Sequence, residues 1–344
     1  EIILTILMLK RKHLGKTALE VSSIGFGAAP LGDLFENLDY ERCHKTLHES
    51  FKNKINFYDT SPFYGYGLSE TRLGKFLKNI DRSNFIISTK VGRYLIPDEP
   101  EKIDRGIWKG GLNFTPVVDY TYDGVMRSFE QSLSRLGLSE IDICLIHDVD
   151  KFTHGSDQLV EKYFKEAMNG AYKALDKLRS EKVIKAIGAG LNDSGMCARF
   201  SKEGDFDCMV LAGRYTLLEQ GALHDFFPIA EEKKIGIILA GVFNSGILIK
   251  GITKNSTYDY GKIPEKIAKK YLKIDAICNK FNIPIAAAAL QFCNANNLIS
   301  TMILGMDRVE QINQNINLLN FKIDSEFWVE LKKNKLIDSL STTP

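Results

Sequence analysis

Short apolar segments alternate with longer amphipathic segments along almost the whole chain. The short segments have few polar positions, which is typical of strands that are buried on both faces of a parallel sheet. The longer segments repeat their apolar residues with helical spacing. We predict eight strands, at Val21 to Gly27, 55–60, Phe85 to Val91, Ile141 to Ile146, Val183 to Ala189, Cys208 to Ala212, Gly236 to Ala240 and Thr301 to Leu304.

A predicted hairpin over Lys10 to Leu19 precedes these strands, and at least one predicted helix follows each of them. The helices are expected at 39–52, 69–78, 122–136, 157–180, 194–202, 222–234, 265–281, 284–294, 307–319 and 324–337. Strands and helices that alternate in this way, without a change of composition that would mark a linker, favour an α/β fold of the (β/α)8 TIM-barrel type. We therefore expect residues 8–344 to form a single barrel domain.

A doubly wound sheet with a dinucleotide-binding crevice is the alternative architecture. Its fingerprint needs three glycines at a strand-to-helix turn. The chain has only the fragments Gly65-Tyr-Gly67 and Gly188-Ala-Gly190, and the third glycine follows neither of them. The barrel is therefore the favoured prediction.

The charge balance and the cysteines narrow the classes of function. The 344 residues include 45 basic and 43 acidic side chains, for a formal net charge of +2, and no basic run indicates a nucleic-acid surface. The six cysteines are scattered without a Cys-x-x-Cys pair, which is typical of buried thiols in a reducing compartment. We predict a cytoplasmic protein that binds neither nucleic acid nor membrane.

The apolar stretch from Glu1 to Leu9 is far too short to span a bilayer. It also lacks the basic region that precedes the apolar core of a signal peptide. We expect Met8 to be the natural start and residues 1–7 to be an N-terminal extension.

Titratable side chains stand at the ends of three consecutive predicted strands. Asp59, Lys90 and His147 end the second, third and fourth strands, and Tyr64 lies on the turn after the second. The carboxyl ends of barrel strands meet at one face, so the four groups are expected to converge. A phenol titrates near pH 10, so Tyr64 needs a neighbouring cation to transfer protons near neutral pH. Each residue alone has an ordinary structural explanation, but together they favour catalysis.

Three segments carry a resemblance to a known family. Asp59-Thr-Ser-Pro-Phe-Tyr64-Gly, Ser88-Thr-Lys90-Val-Gly and Asp142-Ile-Cys-Leu-Ile-His147 resemble the segments that hold the catalytic tetrad of the aldo-keto reductases. The resemblance implies a (β/α)8 barrel, an extended nicotinamide cofactor and direct hydride transfer. It implies that Tyr64 exchanges the proton, that Lys90 (held charged by Asp59) lowers the phenol pKa, and that His147 orients the substrate oxygen.

The same resemblance implies a set of cofactor-binding residues. Asn192 resembles the amide that binds the nicotinamide carboxamide, although Ala212 and Ala240 replace a glutamine and a ring-stacking aromatic found in other members. The loop Phe243-Asn244-Ser245-Gly246 resembles the loop that covers the pyrophosphate. The adenosine-phosphate segment would include Gly305, Met306, Asp307, Gln311 and Asn315.

The adenosine end of this segment favours NAD over NADP. NADPH-preferring members have a lysine just after the glycine, and an arginine four residues before the asparagine, whereas this chain has Met306, Asp307 and Gln311 there. A carboxylate would repel a 2′-phosphate and could accept a hydrogen bond from a ribose hydroxyl. NADP stays possible, because Arg308 could reach a 2′-phosphate.

The stretches Tyr120 to Arg127, Ile146 to Gly155 and Leu211 to Leu218 resemble one branch of the family. That branch includes D-threo-aldose 1-dehydrogenase (L-fucose dehydrogenase) and pyridoxal 4-dehydrogenase, which oxidise cyclic hemiacetals to lactones. It implies an NAD-dependent aldose 1-dehydrogenase, with a pyridoxal dehydrogenase as the alternative, as a monomer or homodimer.

Three residues are expected to contact the substrate. Arg214 lies within the branch-specific stretch, and Tyr94 and Trp108 lie in the insertion 93–120, which forms either an aromatic lid or a loop packed on the rim. No metal is predicted, because the resemblance commits His147 to catalysis.

Two other classes of function stay open from the sequence. Lys90 at a strand end could form a Schiff base, as in a lyase that needs no nicotinamide. A regulatory subunit that senses nicotinamide with little turnover is the other alternative.

Overall fold

Eight parallel strands close into a barrel in the computed structural model, which describes residues 9–344. The strands of the chain are β1 (Arg11–His13), β2 (Glu20–Ser22), β3 (Ile24–Gly27), β4 (Phe57–Asp59), β5 (Ile86–Val91), β6 (Arg93–Pro97), β7 (Phe114–Val118), β8 (Ile143–His147), β9 (Ala186–Leu191), β10 (Cys208–Ala212), β11 (Gly236–Ala240) and β12 (Ile299–Gly305). The barrel order is β3-β4-β5-β8-β9-β10-β11-β12, and β12 pairs back with β3. The predicted (β/α)8 fold is confirmed.

Helices surround the barrel, and most connect consecutive strands. They are α1 (Tyr40–Lys52), α2 (Leu68–Leu77), α3 (Tyr122–Leu136), α4 (Lys151–His154), α5 (Asp157–Asn169), α6 (Ala171–Ser180), α7 (Ser194–Glu203), α8 (Ala222–Asp225), α9 (Phe227–Lys233), α10 (Ile247–Lys250), α11 (Glu265–Lys280), α12 (Ile285–Ala295), α13 (Val309–Leu319) and α14 (Ser325–Lys333). Short 3₁₀ turns lie at Ala29–Gly32, Arg82–Asn84 and Pro100–Lys102.

Side chains alternate between the barrel interior and the layer under the helices. In β8, Ile143 and Leu145 belong to the interior cluster, whereas Cys144 and Ile146 pack in the outer core. This alternation follows from the period of two in a strand. It explains why these strands are apolar throughout, since both of their faces are buried.

The hairpin of β1 and β2 closes the amino-terminal end of the barrel. Leu14 and Val21 join the interior cluster, and the Lys16 amide donates to the Lys234 carbonyl at 2.9 Å. Gly15, at φ 55°, fits against the Gly236 backbone, where a Cβ would collide. The opposite, carboxyl-terminal end is the one that opens to the loops.

Several element boundaries differ from the sequence prediction. The strand expected over Val21 to Gly27 divides into β2, which pairs with β1, and β3, which enters the barrel. The helix expected at 157–180 breaks at Gly170, where a Cβ would stand 2.5 Å from the Tyr120 carbonyl oxygen. The helix expected at 222–234 divides at Phe226, and the strand predicted from Val183 begins at Ala186.

The insertion 93–120 contains more structure than a loop. Its strands β6 and β7 form an antiparallel hairpin, and β6 packs on α3 through the Gln131 side chain, which accepts from the Leu95 amide at 2.9 Å. Trp108 forms a bridge with Leu34 at the barrel rim. The insertion therefore places its middle segment beside the carboxyl-terminal mouth of the barrel.

The helices of residues 9–344 include none that is both long enough and apolar enough to cross a membrane. All six cysteines are buried and free. The predicted extension at residues 1–7 lies outside the described residues.

Candidate active site

Asp59 and Lys90 form a buried ion pair at the carboxyl-terminal end of β4 and β5. The Lys90 ammonium donates to Asp59 Oδ2 at 2.7 Å and to the Thr60 carbonyl at 2.9 Å. The Ser88 hydroxyl donates to the other Asp59 oxygen at 2.7 Å. Both charged side chains are at most 3% exposed. Register explains the pairing, because Asp59 lies opposite Ser88, and Lys90 is the next residue of β5 that faces inward.

Tyr64 lies above this pair on the turn that follows β4. The Lys90 ammonium is 4.8 Å from the centre of its ring. The Tyr64 ring meets the His147 ring nearly edge-on, with centroids 6.1 Å apart. A Cβ at Gly32 would stand 2.5 Å from the Tyr64 carbonyl carbon, so a glycine at position 32 is needed for the turn to approach this closely. All four predicted catalytic side chains therefore meet.

Burial and the neighbouring charges set the protonation of this cluster. Burial raises the pKa of Tyr64 to about 12, while the Lys90 cation acts in the opposite direction and Asp59 adds to the rise. Burial alone would lower the pKa of Lys90, but Asp59 and Tyr64 raise it above its usual value. Lys90 is therefore a permanent cation that favours the phenolate form of Tyr64.

The surroundings of His147 favour its neutral form with the proton on Nε2. Burial, followed by the Arg93 and Lys90 cations, lowers its pKa well below 6.5. The Ser61 hydroxyl accepts from the Phe63 amide at 3.1 Å and lies 3.2 Å from His147 Nδ1. The hydroxyl can then donate to Nδ1, and the Asp148 carboxylate lies 3.4 Å from Nε2, so both neighbours favour an imidazole proton on Nε2. We assign His147 as a neutral Nε2–H donor.

Two charged residues beside His147 were missed from the sequence. Asp148 Oδ2 lies 3.4 Å from His147 Nε2 and 3.2 Å from Arg93 Nη1. Asp148 has a left-handed backbone, with φ 57°, that turns its carboxylate toward the mouth of the barrel. Arg93 follows Lys90 by three residues, so adjacency to the two motifs is the signal that could have found both.

The cluster opens into a cavity of about 460 Å³ with largely apolar walls that include several aromatic rings. Of the three predicted substrate residues, only Trp108 lines this cavity, where its ring lies 5.7 Å from that of Tyr64. Tyr94 does not line it, because β6 turns its ring outward under the Arg127 guanidinium, 4.1 Å away. Arg214 lies in the neighbouring cavity, fixed by the Asn192 carbonyl at 2.9 Å and by Asp259 at 2.8 Å.

A second cavity of about 560 Å³ continues from the first. The two share lining residues, among them Pro30, Asn192, Gly241 and Gly305, and together they form an extended groove. The predicted cofactor residues that line the second cavity are Asn192, Phe243, Asn244, Ser245, Gly246, Gly305, Gln311 and Asn315. Lys250 also lines it and is a cation that the sequence reasoning missed.

Two predicted cofactor residues do not line the groove, and a third is tied into the loops. Met306 is fully buried in the outer core, and Asp307 is not among the residues that line the second cavity. The Asn244 side-chain oxygen accepts from Thr216 at 2.7 Å, so it links two loops. Asn192 lies at the junction of the two cavities, and its side-chain nitrogen donates to Asp150 at 3.1 Å and to Asp148 at 3.3 Å.

Asp307 belongs to a charge-balanced cluster with Glu36, Arg42 and Arg308. Arg42 Nη2 donates to its carboxylate at 2.6 Å, and Arg308 Nε donates to it at 3.0 Å. Glu36 accepts a second bond from Arg42 at 2.8 Å. Burial alone would raise the pKa of Asp307, but Arg308 and Arg42 keep it below its usual value. The two arginines are thus already paired with carboxylates.

A sequence model of the Aldo/keto reductase family matches residues 23–335. The chain is an aldo-keto reductase. It is 37% identical over 338 residues to pyridoxal 4-dehydrogenase of Microbacterium luteolum, covering 95% of this chain and 98% of that protein. It is also 37% identical over 325 residues to D-threo-aldose 1-dehydrogenase of a Pseudomonas species, covering 93% and 95%.

Solved structures support the fold of this aldo-keto reductase. The holo form of the Bacillus halodurans aldo-keto reductase AKR11C1 superposes with a TM-score of 0.74 at 21% identity, over 96% of this chain and 97% of that one. The family and these relatives make the chain a nicotinamide-dependent oxidoreductase that acts on CH–OH groups. The extended groove, with an amide at its junction and a lysine along its wall, fits such a cofactor.

The Schiff-base alternative does not agree with the site. A Schiff-base lysine must be deprotonated to attack a carbonyl, which usually requires a lowered pKa. Lys90 has a raised pKa and donates to both Asp59 and the Thr60 carbonyl. Its geometry is that of a fixed cation.

Proposed function

We propose that this aldo-keto reductase oxidises the anomeric carbon of a cyclic aldose to a lactone, with NAD as the preferred cofactor. The observation that carries the proposal is the meeting of Tyr64, Lys90 and His147 at the wall of a cavity that continues into the groove. The relative named D-threo-aldose 1-dehydrogenase supports an aldose as the substrate.

Proton transfer falls to Tyr64 in this reaction. Its phenolate takes the proton of the anomeric hydroxyl, and Lys90 stabilises that phenolate while Asp59 holds the ammonium in place. The neutral His147 donates its Nε2–H to the same substrate oxygen and fixes its direction. A bound nicotinamide supplies the acceptor for the hydride that leaves the anomeric carbon.

The groove residues would hold the cofactor along its length. Asn192 would bind the carboxamide, and its location where the two cavities join supports this role. The segment Phe243–Gly246, together with Lys250, would face the pyrophosphate, because both line the second cavity. Gln311 and Asn315 would contact the adenosine.

The preference for NAD rests on the cluster around Asp307. A 2′-phosphate needs a cation that is free to pair with it. Arg308, which could have served, already donates to Asp307 at 3.0 Å, and Arg42 is shared between Asp307 and Glu36. The charge-balanced cluster therefore favours the 2′-hydroxyl of NAD over the 2′-phosphate of NADP.

Oxidation of pyridoxal is the second candidate, and the relative named pyridoxal 4-dehydrogenase supports it. The test measures absorbance of reduced nicotinamide with NAD or NADP and L-fucose, D-arabinose, L-galactose or pyridoxal. Turnover of an aldose with NAD is expected. Turnover of pyridoxal but of no aldose would show that pyridoxal, not an aldose, is the substrate. Turnover with NADP but not with NAD would contradict the proposed preference for NAD. Tight cofactor binding without turnover of any substrate would favour a sensor.

A further inference from the structure

The guanidinium of Arg93 is a buried group with an unused donor. Arg93 is 5% exposed and lines the catalytic cavity, where it packs over the Phe63 ring at 4.9 Å. Its Nη1 has no hydrogen-bond partner within residues 9–344, although Asp148 Oδ2 lies 3.2 Å away. Nη1 itself is fully buried, but the guanidinium belongs to a residue that lines the cavity, so its other N–H groups can donate to a ligand atom there.

The carboxylate of Asp148 makes longer polar contacts than the carboxylate of Asp59. Its contacts to Arg93, Asn192 and His147 are 3.2, 3.3 and 3.4 Å long. Asp59 instead accepts two bonds of 2.7 Å. Charge-assisted bonds are normally about 2.7–2.9 Å, and an ionised carboxylate has about four acceptor positions. Asp148 therefore has capacity to accept from a ligand.

The two residues together select a neutral hydroxyl group. A hydroxyl can donate to Asp148 and accept from Arg93 at the same time. An anionic group would be repelled by Asp148, and an ammonium group would be repelled by Arg93. Most of the remaining cavity wall is apolar, with Phe63, Trp108 and Phe152 on it.

The position of Asp148 indicates a hydroxyl close to the reacting oxygen of the substrate. Asp148 Oδ2 lies 3.4 Å from His147 Nε2, the atom that donates to the reacting oxygen. A hydroxyl bound to Asp148 would therefore lie close to the reacting oxygen, and the substrate hydroxyl nearest to that oxygen is the one on a carbon bonded to the reacting carbon. In a cyclic hemiacetal that carbon has two ring neighbours, the ring oxygen and one carbon. The carbon is C2 of an aldose, whereas in pyridoxal it is an aromatic carbon without a hydroxyl.

We propose that Arg93 and Asp148 form a binding site for the C2 hydroxyl of an aldose and so determine substrate specificity. This inference rests on the proposed function and deepens it.

The test compares kcat/KM for L-fucose and 2-deoxy-L-fucose at saturating cofactor. The wild type should favour L-fucose by roughly 10- to 100-fold, the effect of one hydrogen bond to a charged group. Asp148→Asn and Arg93→Met should each reduce this ratio to a few-fold, mainly by lowering kcat/KM for L-fucose. Asparagine suits position 148 because it tolerates the left-handed backbone. Arg199→Met, which removes a surface partner of Glu161, is the control and should leave the ratio unchanged.

Binding measured without turnover gives an independent result. 1,5-Anhydro-L-fucitol lacks the anomeric hydroxyl and cannot be oxidised there, but it keeps the C2 hydroxyl. Calorimetry of its binding to the enzyme–cofactor complex therefore measures binding of the C2 hydroxyl without turnover. Binding should weaken about tenfold or more in both variants, with wild-type-like thermal unfolding. An unchanged ratio and unchanged binding would overturn the inference while the proposed function stands. Turnover of pyridoxal but of no aldose would overturn both.

Discussion

Replacing Lys90 with methionine should move the pH dependence of aldose oxidation to higher pH. The substitution keeps much of the side chain and removes its charge, which lies 4.8 Å from the centre of the Tyr64 ring. At that separation, an effective dielectric constant of about 20 gives an attraction to the phenolate of about 3.5 kcal/mol. Losing it would raise the Tyr64 pKa by about 2.5 units, because one unit corresponds to about 1.4 kcal/mol.

The direction of the effect follows from which form is active. Oxidation needs the phenolate, and burial raises the pKa of Tyr64 to about 12 in the cofactor-free chain. Below the operative pKa, kcat/KM should increase about tenfold per pH unit. His147 has a pKa well below 6.5, so it stays neutral and adds no inflection in this range. At a fixed pH on the rising limb, Lys90→Met should therefore lower kcat/KM by about 300-fold.

The assay records initial rates of cofactor reduction from about pH 6 to pH 10 at saturating cofactor. Lys90→Met also leaves Asp59 buried without its 2.7 Å partner, so the double variant Asp59→Asn/Lys90→Met is the matched control. Because Asp59 raises the Tyr64 pKa, the double variant should have a profile between those of the wild type and the single variant. A flat wild-type profile, or the same profile in Lys90→Met, would refute the assignment of Tyr64 as the base.

Three further substitutions test separate parts of the site. Tyr64→Phe should lower kcat by about 100-fold or more while the cofactor Kd, measured by fluorescence, changes little, and near-normal turnover would contradict its role. Gly32→Ala should lower both kcat and the unfolding temperature, because the new methyl group would stand 2.5 Å from the Tyr64 carbonyl carbon. Gly221→Ala is the control: its methyl group would have no atom within 4 Å, so neither quantity should change. Asp307→Asn should raise the ratio of kcat/KM for NADP over NAD by about tenfold, since Arg42 loses a charged partner, and an unchanged ratio would place the 2′ position elsewhere.

Local sequence determined the fold and the convergence of the tetrad. The strands are apolar throughout because both of their faces are buried, and this pattern is visible without any tertiary information. Asp59, Lys90 and His147 stand at strand ends, and the geometry of a barrel brings the ends of neighbouring strands together. The predicted helix and strand boundaries were less accurate where a tertiary contact decided them. The helix predicted over 157–180 breaks at Gly170, because the chain approaches the Tyr120 backbone closely there.

Only the tertiary structure decided which neighbouring side chains share the cavity. The sequence offered Tyr94 and Arg214 as substrate residues, yet Tyr94 packs under Arg127 and Arg214 belongs to the groove. Arg93 and Asp148 meet because a hairpin after β5 and a left-handed turn after β8 direct them to one point. Distances between side chains of different loops depend on the path of each loop and on strand register, and neither is encoded in the local pattern of residues that predicted the barrel.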